Sequence, residues 1–178
     1  SFFGVLHGQG LLAHTPILPG TWAYNPDLPE YPYAPDEAKA LLEQAGWVDA
    51  DADGVREKGE QKLKFVLLGS DGPLIQAIAA QWEQIGVQAA PQTVTLAGLT
   101  ADFLVPRTFD AALVHWELSG DPDPYPLWHG TQAKTGQNYS GWENRQADEA
   151  IEKARAIGDR EARRQYYLEW QEIFTDEV

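Results

Sequence analysis

Residues 62–96 switch between two hydrophobic periods in a way that a layered α/β arrangement accommodates. The run KLKFVLLG at 62–69 is a short apolar stretch that reads as a strand entering a core. Residues 73–85 then set Leu74, Ile75, Ile78, Trp82 and Ile85 along one helical face, and Gly86 ends the helix. From Val87 to Leu96 the pattern returns to a strand. Pro91 confines that strand to a sheet edge or a bulge, because proline cannot donate to a ladder. A short helix near 97–105, a strand over 109–117 and two closing helices continue the alternation. The first closing helix is expected to bury Ala147, Ile151, Ala154 and Ile157, with Asn144 as its N-cap. The second, starting after Asp159, is expected to bury Ala162, Tyr166, Trp170 and Ile173. Strands alternating with helices give a sheet covered by helices, the α/β class.

Upstream, Pro35 suits the first turn of a helix, where its missing N–H costs nothing. Ala38, Leu41, Leu42 and Ala45 follow at helical spacing and make one apolar face, with Gly46 as the terminator. Ala34 brings no side-chain oxygen to the N-cap, a deficit of about 1 kcal/mol against an aspartate. Residues 8–35 are rich in Gly, Pro and aromatics without a helical period. Trp22, Tyr24, Tyr31 and Tyr33 give this stretch apolar surface to bury, so it is expected to be an ordered loop. The organisation is then a single α/β lobe over 1–178, with an ordered loop at 8–35 and an α/β core at 36–178. The opening SFFGVL reads as the tail of a helix, and the chain stops inside the helical pattern EIFTDEV at 172–178. The sequence thus reads as a fragment of a longer protein. Phe2, Phe3 and Phe174 would face surfaces supplied by the remainder, so the fragment is expected to be a monomer or to self-associate weakly.

The 178 residues include 27 acidic and 13 basic side chains, a formal net charge of −14. That balance argues against nucleic acid, whose binding needs a basic face to displace phosphate counterions, and against an anionic membrane surface. No apolar run approaches the roughly 18 residues of a membrane span, and no stretch reads as a signal peptide. With no cysteine there is no disulfide, thiolate nucleophile or thiolate metal site.

Two segments carry candidate chemistry. In the first, Asp49, Asp51, Asp53, Gly54, Val55 and Glu60 match the calcium-loop pattern D-x-D-x-D-G followed by five residues and Glu. Alternate carboxylates converge on a hard cation, Gly54 permits the turn, Val55 offers a backbone carbonyl, Glu57 or a water adds a further ligand and Glu60 closes the shell. A helix precedes this loop, but a strand follows it where an EF-hand has its second helix. The same residues also read as a solvated Asp/Gly turn. A structural calcium is the one cofactor suggested, and none is required.

The second is the run FDAALVHW at 109–116, continued by ELSGDPDPYPLW at 117–128. In open α/β domains ligands approach the C-terminal ends of strands, and a tryptophan there offers a flat apolar face. Ser119, Gly120 and Asp121 can add hydrogen bonds or a charge. On residue types alone the packing reading is favoured, with Trp116 as core and Asp121 and Asp123 as turn residues before prolines. His7, His14, His115 and His129 show no paired metal spacing, and a structural role is favoured for His115 and His129. No nucleophile elbow, P-loop or dinucleotide fingerprint is present. Asp121 and Asp123 lie too close on one loop to flank a glycosidic bond from opposite sides. The chain is not expected to be an enzyme.

These runs, with WAYNPD at 22–27, YPYAPDEAKALLEQAGW at 31–47 and GQNYSGWEN at 136–144, resemble the extracytoplasmic solute-binding proteins of family 5, the oligopeptide/dipeptide/nickel type that serves ABC importers. The resemblance covers nearly the whole chain. It implies the C-terminal lobe of a two-lobed, class II periplasmic-binding-protein-like fold, a mixed sheet flanked by helices. It further implies an extracytoplasmic location, periplasmic or lipid-anchored at the cell surface, and one wall of a cleft that captures a peptide-like solute and passes it to an ABC permease. Trp116, Glu117, Leu118, Ser119, Asp121 and Tyr139 would line that cleft. Peptide-binding relatives place an aspartate three residues after the tryptophan, where it pairs with the peptide's ammonium; here that position is Ser119, with Asp121 displaced. Relatives that bind nickel keep a metal chelate open, and an oligosaccharide is also open. A calcium-stabilised structural or interaction domain is the alternative from another class.

Overall fold

The computed structural model describes residues 10–118 and 120–178, and these form two compact units. The expected helix tail at Phe2 and Phe3, and Ser119, lie outside the described residues. One unit comprises Gly10 and residues 32–115; the other comprises residues 11–31 and 116–178.

The first unit opens with α1 (Pro35–Gln44), whose N-cap Ala34 makes no side-chain capping bond. Gly46 donates to the Glu43 carbonyl and Trp47 to the Leu42 carbonyl, closing the helix at the expected place. A small hairpin, β1 (Glu57–Lys58) and β2 (Gln61–Lys62), leads into β3 (Lys64–Gly69). Then come α2 (Gly72–Glu83) and β4 (Gln88–Thr93), followed by α3 (Leu96–Gly98), which widens into a π-helical run at Leu99–Leu104, and by β5 (Ala111–Leu113). The larger sheet is parallel throughout, in the order β4-β3-β5, and the antiparallel pair is the separate β1–β2 hairpin.

Alternation along β3 divides its side chains between two faces. Phe65 and Leu67 meet Ile75, Ile78, Ala79 and Trp82 of α2, together with Ala89, Ala111 and Leu113. Gly69 is required where β3 approaches α2, since an added Cβ would sit 2.5 Å from Ile75 Cγ2. Asp110 accepts the Val66 N–H at 3.0 Å one step before β5 joins the ladder at Leu67. β4 is an edge strand, as Pro91 required. Gln88 donates to the Leu63 carbonyl and Val94 to the Gly69 carbonyl, so the even-numbered amides face β3 and Pro91 falls among those facing the open edge. The edge thus lacks one donor that a foreign strand would use.

Arg56 fastens the ends of these helices together. It is buried, and donates to the Ile85 carbonyl at 2.9 Å, the Trp47 carbonyl at 2.8 Å and Glu43 Oε1 at 3.1 Å. Its aliphatic stem lies against Gly86, whose φ of +84° and 2.7 Å clearance to Arg56 Cγ exclude a side chain.

The apolar face of α1 departs from expectation. None of its residues is buried, and Leu41 is 59% exposed. Ala38, Leu41 and Leu42 instead line an open apolar groove with Phe65, Trp82, Ile85 and Val87. Periodicity identified the face correctly but does not state what covers it.

The second unit is helical: α4 (Tyr125–Trp128), α5 (Gln132–Thr135), α6 (Arg145–Ala156) and α7 (Arg160–Glu177). Asn144 and Asp159 cap α6 and α7 through the amides of Ala147 and Ala162. Ala147, Ala150, Ile151 and Ala154 of α6 pack with Tyr167, Trp170 and Phe174 of α7 around Ile17 and Ala23. Phe174 is enclosed by the rings of Trp128, Trp142 and Trp170 at 4.8, 5.3 and 5.1 Å.

The buried stripe of α7 is turned from the expected one: Tyr167, Trp170, Gln171, Phe174 and Thr175 are buried, whereas Ala162, Tyr166 and Ile173 are half-buried. The cause is polar. Gln171 Oε1 accepts from Thr15 Oγ1 at 3.1 Å and Asn25 N at 3.2 Å, while its Nε2 donates to the Ala23 and Tyr167 carbonyls at 2.9 and 2.8 Å. This knot orders the 15–25 part of the irregular segment, with Trp22 and Tyr24 against the core. Tyr31 and Tyr33 are 67% and 70% exposed and do not share in that burial.

Candidate functional site

The strand expected over 109–117 pairs only at Ala111–Leu113. Residues 114–118 belong to no strand or helix and are exposed at 115–118, so Trp116 sits on an unpaired segment and not on a strand. Proline at 122, 124 and 126 removes amide donors and prevents further pairing. Asp123 stabilises the turn by accepting the Tyr125 N–H at 3.1 Å.

Within the second unit this segment borders a cavity of about 270 Å³. Its walls include Ile17, Leu18, Trp116, Leu118, Leu127 and Trp128, with the acidic groups Glu117, Asp121 and Asp123. Trp116 is 39% exposed, and its ring stacks on that of Tyr139 at 5.9 Å and 18°. Trp116, Glu117, Leu118 and Asp121 therefore converge on one cavity, and Tyr139 backs the tryptophan. Tyr139 is held in place by its neighbour. Asn138 is fully buried, donates to the His129 and Trp142 carbonyls at 3.3 and 2.8 Å and accepts from Ser140 Oγ and Gly141 N.

Asp121 is bound on both oxygens by Arg163 of α7, at 3.0 and 2.9 Å. Arg163 also donates to the Tyr167 hydroxyl at 2.7 Å. The hydrogen bonds that Arg163 donates to Asp121 hold the Arg163 pKa above its ordinary value, and burial raises that of the Tyr167 phenol. Sequence reasoning missed Arg163, because its partner lies 42 residues away. His129 is buried, packs against the Tyr125 ring at 4.3 Å, and its Nδ1 meets the Thr131 hydroxyl at 2.8 Å and the Thr131 N–H at 3.1 Å.

In the acidic loop, Asp49, Asp51 and Glu57 bring carboxylate oxygens within 4.8 Å of one another. Glu60 is not in that group and lies in the turn of the β1–β2 hairpin. Asp49 accepts the Asp53 and Gly54 amides, Asp51 the Asp53 amide and Asp53 the Val55 amide. Lys62 pairs with Asp51 at 3.0 Å and also with Asp53. Hydrogen bonding from Lys62 holds the Asp53 carboxyl below its usual pKa and raises that of the ammonium. Glu57 Oε2 is a buried oxygen without a hydrogen-bond partner, the one feature here that favours a bound cation. No helix among the described residues is long and apolar enough to cross a membrane.

Residues 4–139 match the family model of the bacterial extracellular solute-binding proteins, family 5 Middle. The chain is 33% identical, over 96% of its own length and 32% of the relative's, to the oligopeptide-binding protein AppA of Bacillus subtilis. It is 29% identical to the dipeptide-binding protein of Escherichia coli over 98% of its length and 32% of that protein's. The solved AppA structure, in complex with a nonapeptide, superposes with a TM-score of 0.88 over 98% of this chain and 36% of that one, at 31% identity. NikZ of Campylobacter jejuni, in complex with Ni(L-His), shares the fold at a TM-score of 0.84 and 24% identity, over 98% of this chain and 36% of that one. The chain thus spans about a third of the length of the relatives it matches.

Proposed function

The chain belongs to the bacterial extracellular solute-binding proteins, family 5, a family of transport binding proteins and not of enzymes, and on that premise we propose that it forms one wall of a cleft that captures a peptide-like solute for an ABC importer. The observation that carries this reading is the exposed Trp116 ring, stacked on Tyr139 and lining a cavity whose walls combine apolar side chains with carboxylates. Such a surface suits an apolar side chain or peptide plane beside a cationic group. Peptides are the named solutes of AppA and of the Escherichia coli dipeptide-binding protein, which supports the same class here. Extracytoplasmic placement and delivery to a permease belong to the same proposal, and the family membership supports them.

The test is to incubate the full chain with a defined mixture of di- to nonapeptides and to identify what it retains by mass spectrometry. Retention of peptides is expected, with affinity reduced about tenfold or more in Trp116→Ala, equivalent to ~1.4 kcal/mol. Failure to retain any peptide, with retention of an oligosaccharide or a metal chelate instead, would replace the solute class.

A further inference from the structure

We propose that Glu117 is the residue with which this cavity reads a positive charge on its solute, and that Asp121 is a positioning residue locked by Arg163. The proposal rests on the solute-binding reading above and assigns its solute a cationic group beside an apolar one.

Charge balance within the second unit carries the argument. Three carboxylates line the cavity, and none of the described lining residues is Lys, Arg or His. An anionic solute would meet only like charge. The three carboxylates are not equivalent. Asp121 receives a two-pronged guanidinium, the geometry in which an arginine satisfies both carboxylate oxygens at once. That guanidinium is itself fixed, with its side chain 18% exposed, its third bond on Tyr167 and its centre 5.4 Å from the rings of both Trp22 and Tyr167. Asp123 is taken up by the Tyr125 amide and by Arg155 Nε at 3.4 Å, and Arg155 lies over the Tyr125 ring at 3.9 Å. Two of the three charges are thus already compensated from α6 and α7, and they tie the 121–125 loop to those helices. Glu117 is exposed, directly follows the stacked Trp116, and has no cationic partner among the described residues. By subtraction the cavity presents one uncompensated negative charge next to its aromatic face. An ammonium or guanidinium there gains a carboxylate without breaking an existing pair, whereas binding at Asp121 would first have to displace Arg163.

Two sources could bring that charge, a peptide's amino terminus or a basic side chain, and the probes separate them: Ala-Phe-Ala-Ala with a free amino end, its N-acetyl form, and N-acetyl-Ala-Lys-Ala-Ala amide. The full chain is expected to bind the first or third at least about tenfold more tightly than the second. Glu117→Gln should abolish that preference, while Asp121→Asn should weaken all three peptides alike and leave the ratio intact. Asp121→Asn should also lower the melting temperature by about 2–4 °C, the shift of ~1 kcal/mol at this size, and speed protease cleavage within 114–124. The exchange Asp121→Arg with Arg163→Asp should recover part of what Asp121→Arg alone loses. The proposal is overturned if the preference survives Glu117→Gln, if it vanishes in Asp121→Asn, or if Asp121→Asn changes neither melting nor cleavage. Binding of none of the peptides by the wild-type chain would instead remove the peptide reading itself, and the Glu117 assignment with it.

Discussion

Gln171 makes four hydrogen bonds inside a core otherwise built of aromatics, isoleucine and alanine. Its amide supplies both a double acceptor and a double donor, which matches the Thr15 hydroxyl, the Asn25 N–H and the Ala23 carbonyl of an irregular segment, with the remaining donor on the Tyr167 carbonyl one turn back in α7. Gln171→Leu keeps the volume and removes all four bonds. The expected loss is about 3 kcal/mol, from buried polar groups left without partners, or a fall of roughly 6–12 °C in melting temperature. A loss below about 1 kcal/mol in a denaturant titration would mean that water replaces the amide. This residue also explains why the face of α7 was misjudged. Helical periodicity counts apolar side chains, and here the deepest stripe includes Gln171 and Thr175, made compatible with burial only by a segment nearly 150 residues earlier.

Among the helices of ten residues or more, α1 is the least secured. It lacks a side-chain cap at Ala34 and buries none of its residues. Ala34→Asp is expected to stabilise the chain by about 1 kcal/mol, read as a rise in melting temperature. In the loop between α1 and β1 the ammonium of Lys62 already supplies positive charge to Asp51 and Asp53. We therefore expect melting with EDTA and with millimolar calcium to coincide in the wild type, and a rise that Asp51→Ala abolishes would establish a calcium site. Since the Asp53 pKa is lowered from 3.8, chiefly by Lys62, its pairing contributes stability above about that pH and loses it as pH falls further. Asp53→Asn should flatten that part of the acid-unfolding curve. The βαβ run from β3 to β4 was legible because Leu67, Ile75, Ala79 and Ala89 obey simple periods and the turns carry their own signals. The length of β5 was not. The residues after Leu113 keep a strand-like alternation, Val114, Trp116 and Leu118 with His115 and Glu117 between them, and the ladder ends because its partner strand β3 ends at Gly69.

At the scale of the molecule, the net charge of −14 acts on every element at once. Raising salt from about 10 to about 150 mM shortens the screening length from about 30 to about 8 Å, so self-repulsion should ease and the melting temperature should rise, before any specific ion effect. A fall over this range would mean that ion pairs such as Arg163–Asp121 outweigh the repulsion. Trp116, Glu117, Leu118 and Asp121 were legible as a group because they are consecutive or nearly so. The pairing of Asp121 with Arg163, and of the neighbouring Asp123 with Arg155, was invisible, since no local rule links a loop carboxylate to an arginine three or four helices later. The same long reach appears where α7 takes hold of the segment around residues 15–25, and it bears on isotope exchange. The Asn25 amide belongs to no helix or strand, yet its proton is buried on Gln171. It should therefore be released to deuterium only as slowly as α7 itself opens, making an irregular stretch of chain a clock for the unfolding of the helix beneath it.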